Sequence, residues 1–246
     1  MSTASHPSPN EAPAEPRAAS NRAVRRLPTM HVLVLCAALA AVALSVHVWS
    51  LWDGTVLDDY EHQRGLRENG WSYHELMRTL VIEPASWVHA WWQDQPVRWA
   101  YGRPLFILSM KVVYHVLGGD DPAALHLFSI VTHILSTWMI AWLAWRITAG
   151  RWWALLAGVL FAIYPHAVIT VAWPSSQNIV TSTALLLAAL ICYWRAADLG
   201  FLSQPPREPI ARLRVGSAVA MFAAWIAALL TRENALLLPV VLVALE

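Results

Sequence analysis

The chain has 246 residues, of which 57% are hydrophobic and only 13% are charged. Soluble domains carry about 25% charged residues, so this composition excludes a disordered chain and argues against a soluble globular one. The net charge is +1, so we expect no nucleic-acid partner. The 15 tryptophans are typical of membrane–water interfaces, and the composition predicts an integral membrane protein.

The N-terminus predicts a tail followed by a membrane helix. Residues 1–29 are rich in Pro, Ala, Ser and Glu without an apolar period, which predicts a disordered cytoplasmic tail. The apolar run from Met30 to Trp52 is too long for a signal-peptide core and has no small-residue cleavage site. We therefore expect it to be retained as the first span.

Further apolar runs approach the ~20 residues that a span needs. They cover residues 123–145, 152–173, 178–194 and 215–231, and a sixth run begins at Asn234 and is cut off by the chain end at Glu246. We predict an all-α integral membrane fold of about six transmembrane helices, the last truncated. The transmembrane domain would cover residues 30–246 and be incomplete at its C-terminus.

The short apolar segment 104–118 decides the topology. It begins at Pro104 and carries Lys111 near its middle, as an interfacial or re-entrant segment would. If it does not cross, the positive-inside rule places most arginines in the cytoplasm. These are Arg17, Arg22, Arg25, Arg26, Arg146, Arg151, Arg195, Arg207, Arg212 and Arg214. We therefore predict a cytoplasmic N-terminus and an extracytoplasmic segment 53–121.

This large outer segment is expected to form amphipathic helices on the membrane surface. The segment holds five tryptophans, and its stretch 73–92 mixes apolar and polar positions. A small independent outer domain is the alternative, but the segment has few continuous apolar runs with which to build its own core.

Two adjacent carboxylates, Asp58 and Asp59, follow the first span closely. A carboxylate near low-dielectric lipid has a raised pKa, which suits a general base. Glu61 and His62 lie nearby, so a divalent metal stays an open alternative, although the spacing matches no standard ligand pattern. A solvated acidic loop is the simplest alternative.

Candidate phosphate and sugar contacts come from later in the chain. Arg103 precedes Pro104 and could hold a phosphate bidentately, with Lys111 reaching the same region; an interfacial arginine is the alternative. The turn after the third span carries Gln177 and Asn178, which could contact a sugar or belong to an ordinary helix cap.

The turn after the fifth span holds Arg232 and Glu233, for which a local ion pair is the alternative role. His126 and His133 share one face of the second span, which favours helix–helix hydrogen bonds. The predicted topology brings one set of polar residues to the same outer face, which favours a phosphate-bearing substrate. The set comprises Asp58, Asp59, Arg103, Lys111, Gln177, Asn178, Arg232 and Glu233.

Four stretches together resemble the GT-C superfamily of polytopic glycosyltransferases, and most closely the tetratricopeptide-repeat transmembrane O-mannosyltransferase group. The stretches are "DDYEHQRGLREN", "YGRPLFILSMKVVYHVLGGDDPAALHLFSIVTHIL", "FAIYPHAVITVAW" and "TRENALLLP". They occur in the order of the family's motifs and cover roughly residues 31–246.

The resemblance implies transfer of a sugar from a polyprenyl-phosphate donor to an acceptor hydroxyl of a protein or glycan at the extracytoplasmic face. Asp58 would be the base, Asp59 would support it, and Arg103 and Arg232 would hold the donor phosphate. No further cofactor is implied with certainty.

The sequence departs from the family at charged positions of the site. Tyr164, Ala167 and Ile169 stand where the family has His and Glu, and neutral Gln177 and Asn178 stand where it often has an Arg–Asp pair. A non-catalytic membrane partner or a polyprenyl-lipid-binding protein is therefore the alternative function, and a transporter a third one. The arginine-rich usage, with Lys111 the only lysine, is typical of a GC-rich bacterium, so we expect the bacterial inner membrane.

Overall fold

The computed structural model describes residues 29–56, 58–82, 99–118, 121–197 and 214–245, and these are mostly helical. Residues 1–28, the bulk of the predicted tail, lie outside the described residues. The helices are α1 (Thr29–His47), α2 (Asp59–Glu68), α3 (Tyr73–Arg78), α4 (Pro104–Val113), α5 (Ala123–Thr148), α6 (Arg151–Ala162), α7 (Pro165–Ala172), α8 (Gln177–Ala196), α9 (Val215–Thr231) and α10 (Leu238–Leu245). Short helical turns cover Val48–Trp52, Tyr114–Gly118, Pro174–Ser176 and Glu233–Leu237, and strands β1 (Val81–Ile82) and β2 (Trp99–Ala100) form one antiparallel pair.

Three helical segments are long and apolar enough to cross a membrane. They are Met30–Trp52, Ala123–Thr148 and Pro174–Ala196, and α6 with α7 adds a fourth if the bent pair is one span. The other apolar helices of the described residues, Pro104–Gly118, Val215–Thr231 and Glu233–Ala244, are shorter. The structure confirms a mostly helical chain with three to four candidate membrane spans among the described residues, whereas the predicted number of about six is not reached on length and composition.

The predicted third span is broken into α6 and α7, which differ in direction by 52°. The break falls before Pro165, the first residue of α7, because proline has no N–H to continue a helix. The carbonyl of Ala162 lies 3.2 Å from Nε2 of His47 and 3.3 Å from Nε2 of His133. Two imidazoles therefore bond the backbone at the break, and the helix–helix contact predicted for His133 is confirmed.

Small residues let α1, α5 and α6 approach closely. A side chain built at Gly158 would meet the two terminal methyls of Leu39 at 2.8 Å and the Cβ of Ala141 at 3.3 Å. Ala43 and Ala154 are also buried. Membrane helices associate largely through such van der Waals packing, because lipid is as apolar as their side chains.

The outer segment combines short helices with the strand pair. Ser72 starts α3 with a capping box, in which its hydroxyl accepts from the Glu75 N–H and the Glu75 carboxylate accepts from the Ser72 N–H. Within the stretch 73–92, for which amphipathic helices are predicted, helix α3 ends at Arg78, and β-branched Val81 and Ile82 pair with Ala100 and Trp99 instead. Residues 83–98 lie outside the described residues.

The outer segment shares its apolar core with α4 and the start of α5. This core consists of Leu66, Leu76, Leu80, Phe106, Ile107, Met110, Val113, Tyr114 and Leu125. The segment Pro104–Gly118 is shorter than the ~20 residues of a span and packs beneath α2 and α3. Residues on both sides of the predicted membrane surface therefore form one core, which holds α2 at the end of the membrane helices.

Candidate active site

Asp59, the first residue of α2, is buried and fully bonded, with 1% of its surface exposed. Its Oδ1 accepts from the backbone N–H of Ser175 at 2.8 Å and from the Ser175 hydroxyl. Its Oδ2 accepts from the backbone N–H of Val56 at 2.9 Å. Asp59 therefore joins the end of the first span to the turn that precedes α8, and its oxygens are engaged in structural hydrogen bonds.

Asp58 immediately precedes α2 and makes no side-chain cap hydrogen bond. Its Oδ1 is buried, yet it has no partner among the described residues. One helical turn along, the buried His62 also has a ring nitrogen, Nδ1, without a described partner. Burial lowers the pKa of His62, opposed by the negative charges of Asp58 and Asp59, so a neutral imidazole lies beside the acidic pair.

A chain of hydrogen bonds runs from Asp59 to the turn after α9. Asn178 donates from Nδ2 to the carbonyl of Ser175 at 3.0 Å, and its Oδ1 accepts from Nη1 of Arg232. Ser175 in turn donates to Asp59. These contacts join residues from α2, the Pro174–Ser176 turn, the first turn of α8 and the end of α9.

Arg103, just before α4, makes a two-armed ion pair with Glu233. Nε lies 3.0 Å from Oε2 and Nη2 lies 2.6 Å from Oε1. The guanidinium also lies over the Tyr101 ring, 4.7 Å from its centroid. The hydrogen bonds from Arg103 lower the pKa of Glu233 to about 2.

Arg232 brings a second positive charge to the same cluster. Burial and then the charge of Arg103 lower its pKa, while Glu233 opposes this. Its Nε is buried without a partner among the described residues. A buried guanidinium donor facing a like charge is a position at which an anion would be favourable.

Gln177 and Lys111 make contacts away from this cluster. Gln177 is buried and donates from Nε2 to the carbonyl of Leu125 at 2.6 Å, which ties α8 to α5. The ammonium of Lys111 is buried and donates to the carbonyls of Leu66 and Asn69 at the end of α2. Both side chains therefore join helices to each other.

The structure thus brings five of the eight predicted residues into one cluster, joined by direct bonds or by mutual electrostatic effects, and Asp58 adjoins it. The five are Asp59, Arg103, Asn178, Arg232 and Glu233. Ser175 links them, although the sequence singled out only Gln177 and Asn178 of this turn. Its signal was the "WPSSQN" turn, in which two hydroxyls precede a helix.

The described residues also contain a buried histidine and a cavity that the contacts above do not include. His126 of α5 is fully buried. A cavity of about 150 Å³ lies beside the α6–α7 break, lined in part by His133, Tyr164, His166 and Thr170. Within the ranges that the structure describes, no group of three or more His, Cys, Asp or Glu side chains is placed to hold a metal ion.

Comparison with known proteins finds relatives among animal O-mannosyl-transferases. The chain is 32% identical over 93 residues to Protein O-mannosyl-transferase Tmtc1 of Drosophila melanogaster, a match covering 38% of this chain and 11% of that protein. It is 29% identical over 91 residues to Protein O-mannosyl-transferase TMTC2 of Mus musculus, covering 37% and 11%. It is 32% identical over 93 residues to Protein O-mannosyl-transferase tmtc2 of Xenopus laevis, covering 38% and 11%.

These matches confirm the resemblance to the transmembrane O-mannosyltransferase group over 38% of the chain at about 30% identity. The matched part spans only about a tenth of the length of these relatives, 11% in each case. No family model and no solved structure matches the chain.

Proposed function

We propose that this chain carries the outer-face site of an integral-membrane glycosyltransferase. The site would transfer a sugar from a polyprenyl-phosphate donor to a hydroxyl group of a protein. The names of the relatives indicate protein acceptors and mannose as the sugar.

One observation carries the proposal: carboxylates and guanidinium groups from four separate segments converge at one end of the helices. Asp59 is bonded through Ser175 and Asn178 to Arg232, and the charge of Arg103 acts on Arg232. Most buried donors and acceptors have a hydrogen-bond partner, so a donor and an acceptor without one are places at which a substrate group could bind. In this cluster, Nε of Arg232 and Oδ1 of Asp58 both lack a partner among the described residues.

The proposed reaction is a displacement at the anomeric carbon. The acceptor oxygen forms the new bond to this carbon while the bond from the carbon to the phosphate oxygen breaks. The hydroxyl proton passes to the carboxylate of Asp58, and the polyprenyl phosphate leaves with the bonding electron pair. Arg103 and Arg232 stabilise the negative charge that develops on the departing phosphate.

The structure favours Asp58 over Asp59 as the base. Both oxygens of Asp59 accept backbone N–H groups, and its side chain is 1% exposed, so an acceptor hydroxyl could reach it only by displacing them. Asp58 is less buried, and one of its oxygens has no described partner. Asp59 then acts as a positioning residue that holds α2 against the Ser175 turn.

The proposed topology has six spans and a cytoplasmic N-terminus. The bent α6–α7 pair is the third span, and α9 and α10 begin the fifth and sixth, with segment 104–118 dipping into the outer leaflet. Orientation is testable in a variant without Cys36 and Cys192. Gly54→Cys should be labelled by an impermeant thiol reagent from outside intact cells, and Thr148→Cys only after lysis. The reverse pattern would overturn the topology, and with it an extracytoplasmic reaction.

The function is tested with membranes that contain the chain, radiolabelled polyprenyl-phosphate mannose and a protein acceptor. Transfer should fall by about 10²-fold or more in Asp58→Asn, since a positioned general base contributes 10²–10⁴-fold. The matched control is Glu61→Gln, an exposed carboxylate of α2 that pairs with Arg64. Transfer that survives in Asp58→Asn would sink the proposed base, and no transfer above that of membranes lacking the chain would contradict an active enzyme.

A further inference from the structure

A cavity lies at the opposite end of the helices from the candidate active site. It has a volume of about 370 Å³ and is lined by residues of α1, α5 and the start of α6. Its walls include Leu35, Cys36, Leu39, Trp138 and Trp142. Trp138 donates to the carbonyl of Cys36 at 2.9 Å, so the wall joins two membrane helices.

The cavity is apolar along its length and cationic at one end. Arg151, at the start of α6, lines it directly and lies over the Trp152 ring, 5.3 Å from the centroid. Two further guanidinium groups lie over the Trp142 ring: those of Arg146 at 5.7 Å and Arg195 at 5.9 Å. Three positive charges from α5, α6 and α8 therefore gather around the aromatic end of an otherwise hydrocarbon-lined space.

The depth of this end matches a membrane interface. Trp152 and Trp153 are 69% and 61% exposed beside Arg151, as in the aromatic belts at the headgroup level. The apolar walls extend from there into the part of α1 and α5 that would cross the hydrocarbon. A ligand that fits both parts has an apolar chain and an anionic head at the interface.

We propose that this cavity binds one acyl chain of an anionic phospholipid, with the lipid phosphate held by Arg151 and the neighbouring arginines. Basic pockets between membrane helices bind such headgroups. The site differs from the proposed donor site because it lies at the other end of α1 and α5 and does not involve Asp58 or Arg232. It stands whether or not the chain is a glycosyltransferase.

The two cysteines of the chain supply a probe and its control. Cys36 lines the cavity, whereas Cys192, on α8, does not. In purified, delipidated Cys192→Ser protein, the labelling rate of Cys36 by a small methanethiosulfonate is measured with phosphatidylglycerol or with phosphatidylcholine in the micelles. The concentration that half-protects Cys36 should be lower for phosphatidylglycerol than for phosphatidylcholine. The difference should be about fivefold for each arginine that contacts the headgroup. Cys192 in the Cys36→Ser protein should be labelled equally in both lipids.

Replacement of the charge locates the headgroup. Arg151→Gln in the Cys192→Ser background should reduce the difference between the phosphatidylglycerol and phosphatidylcholine curves by about fivefold, the share of one arginine, and Arg151→Lys should retain most of the difference. The thermal transition of each variant is measured alongside, because a preserved transition excludes misfolding as the cause. Equal protection by both lipids, which indicates a groove filled by any acyl chain, would overturn the proposal, as would the absence of protection.

Discussion

Arg103 and Glu233 are 130 positions apart in the chain and form a two-armed ion pair, with contacts of 2.6 and 3.0 Å. The pair joins the segment before α4 to the turn after α9. It also leaves the Arg103 guanidinium beside Arg232, whose pKa is lowered in part by that charge. The geometry therefore orients one of the two arginines proposed for the donor phosphate before any donor is bound.

The ion pair predicts a defined dependence of stability on pH. The pKa of Glu233 is lowered from 4.5 to about 2, mainly by its hydrogen bonds from Arg103. A lowered carboxylate pKa stabilises the fold above the unfolded pKa, and this contribution is lost as pH falls from about 4.5 toward 2. We expect Glu233→Gln to lower the free energy of unfolding by at most ~1 kcal/mol at pH 7, because the carboxylate is largely exposed.

Thermal transitions of wild type and Glu233→Gln in detergent, recorded from pH 7 to pH 3, measure this effect. The gap between the two proteins should be constant above about pH 5 and shrink below pH 4.5. The control is Glu61→Gln, which removes an exposed carboxylate on α2. A gap that widens on acidification would contradict the assignment of the ion pair.

The two adjacent aspartates should behave differently on neutralisation. Asp59→Asn puts an amide nitrogen where a carboxylate oxygen accepts an N–H from Ser175 or Val56, so one buried donor loses its acceptor. We expect a loss of about 1–3 kcal/mol in the free energy of unfolding. The free energy of unfolding of Asp58→Asn should lie within about 0.5 kcal/mol of the wild-type value, because Oδ1 of Asp58 has no described partner to lose. Chemical denaturation of the purified proteins measures both changes, and equal stability losses would contradict the division of roles between them.

The membrane helices could be predicted from the sequence because they depend on local apolar runs. The first span, predicted over Met30–Trp52, occurs with those bounds, and the predicted 123–145 and 178–194 lie within α5 and α8. The acidic pair stands out in a single sequence because two adjacent carboxylates follow an apolar run within a few residues.

The roles within the site could not be predicted, because they depend on contacts between distant segments. Asp59 is the buried member of the acidic pair only because Ser175, 116 positions later, supplies donors to it. The sequence indicates Lys111 as a phosphate contact because it lies in the segment that begins beside Arg103 and could reach the same region. In the fold, the ammonium of Lys111 donates to the carbonyls of Leu66 and Asn69. No periodicity within α4 encodes that contact.

Lys111 therefore offers a test that separates structure from substrate binding. Lys111→Met keeps the apolar stem and removes the ammonium that caps the end of α2, where carbonyls lack helical partners. We expect the free energy of unfolding to fall by about 1–3 kcal/mol, with the KM for the polyprenyl-phosphate donor unchanged. Arg64→Gln, which removes an exposed cation of α2, is the control. A stable Lys111→Met protein with a raised KM would instead support the phosphate contact that the sequence predicted.

The close packing of α1 on α6 predicts that one methyl group at Gly158 destabilises the fold. The new Cβ would lie 2.8 Å from the methyls of Leu39 and 3.3 Å from the Cβ of Ala141. Helix propensity alone favours alanine over glycine by about 1 kcal/mol, but overpacking costs about 1–3 kcal/mol. We expect Gly158→Ala to lower the thermal transition in detergent. Gly216→Ala, with no atom within 4 Å of the new Cβ, should leave the transition unchanged or raise it.

A double-mutant cycle identifies the contact responsible. Leu39→Ala alone should destabilise the protein, because Leu39 is buried with 1% of its surface exposed. Combined with Gly158→Ala, it removes the methyls that the new Cβ meets. The stability loss of the double variant should therefore be smaller than the sum of the losses of the two single variants. Strictly additive losses would mean that Gly158 is constrained by something other than Leu39, such as the backbone or the nearby Ala141.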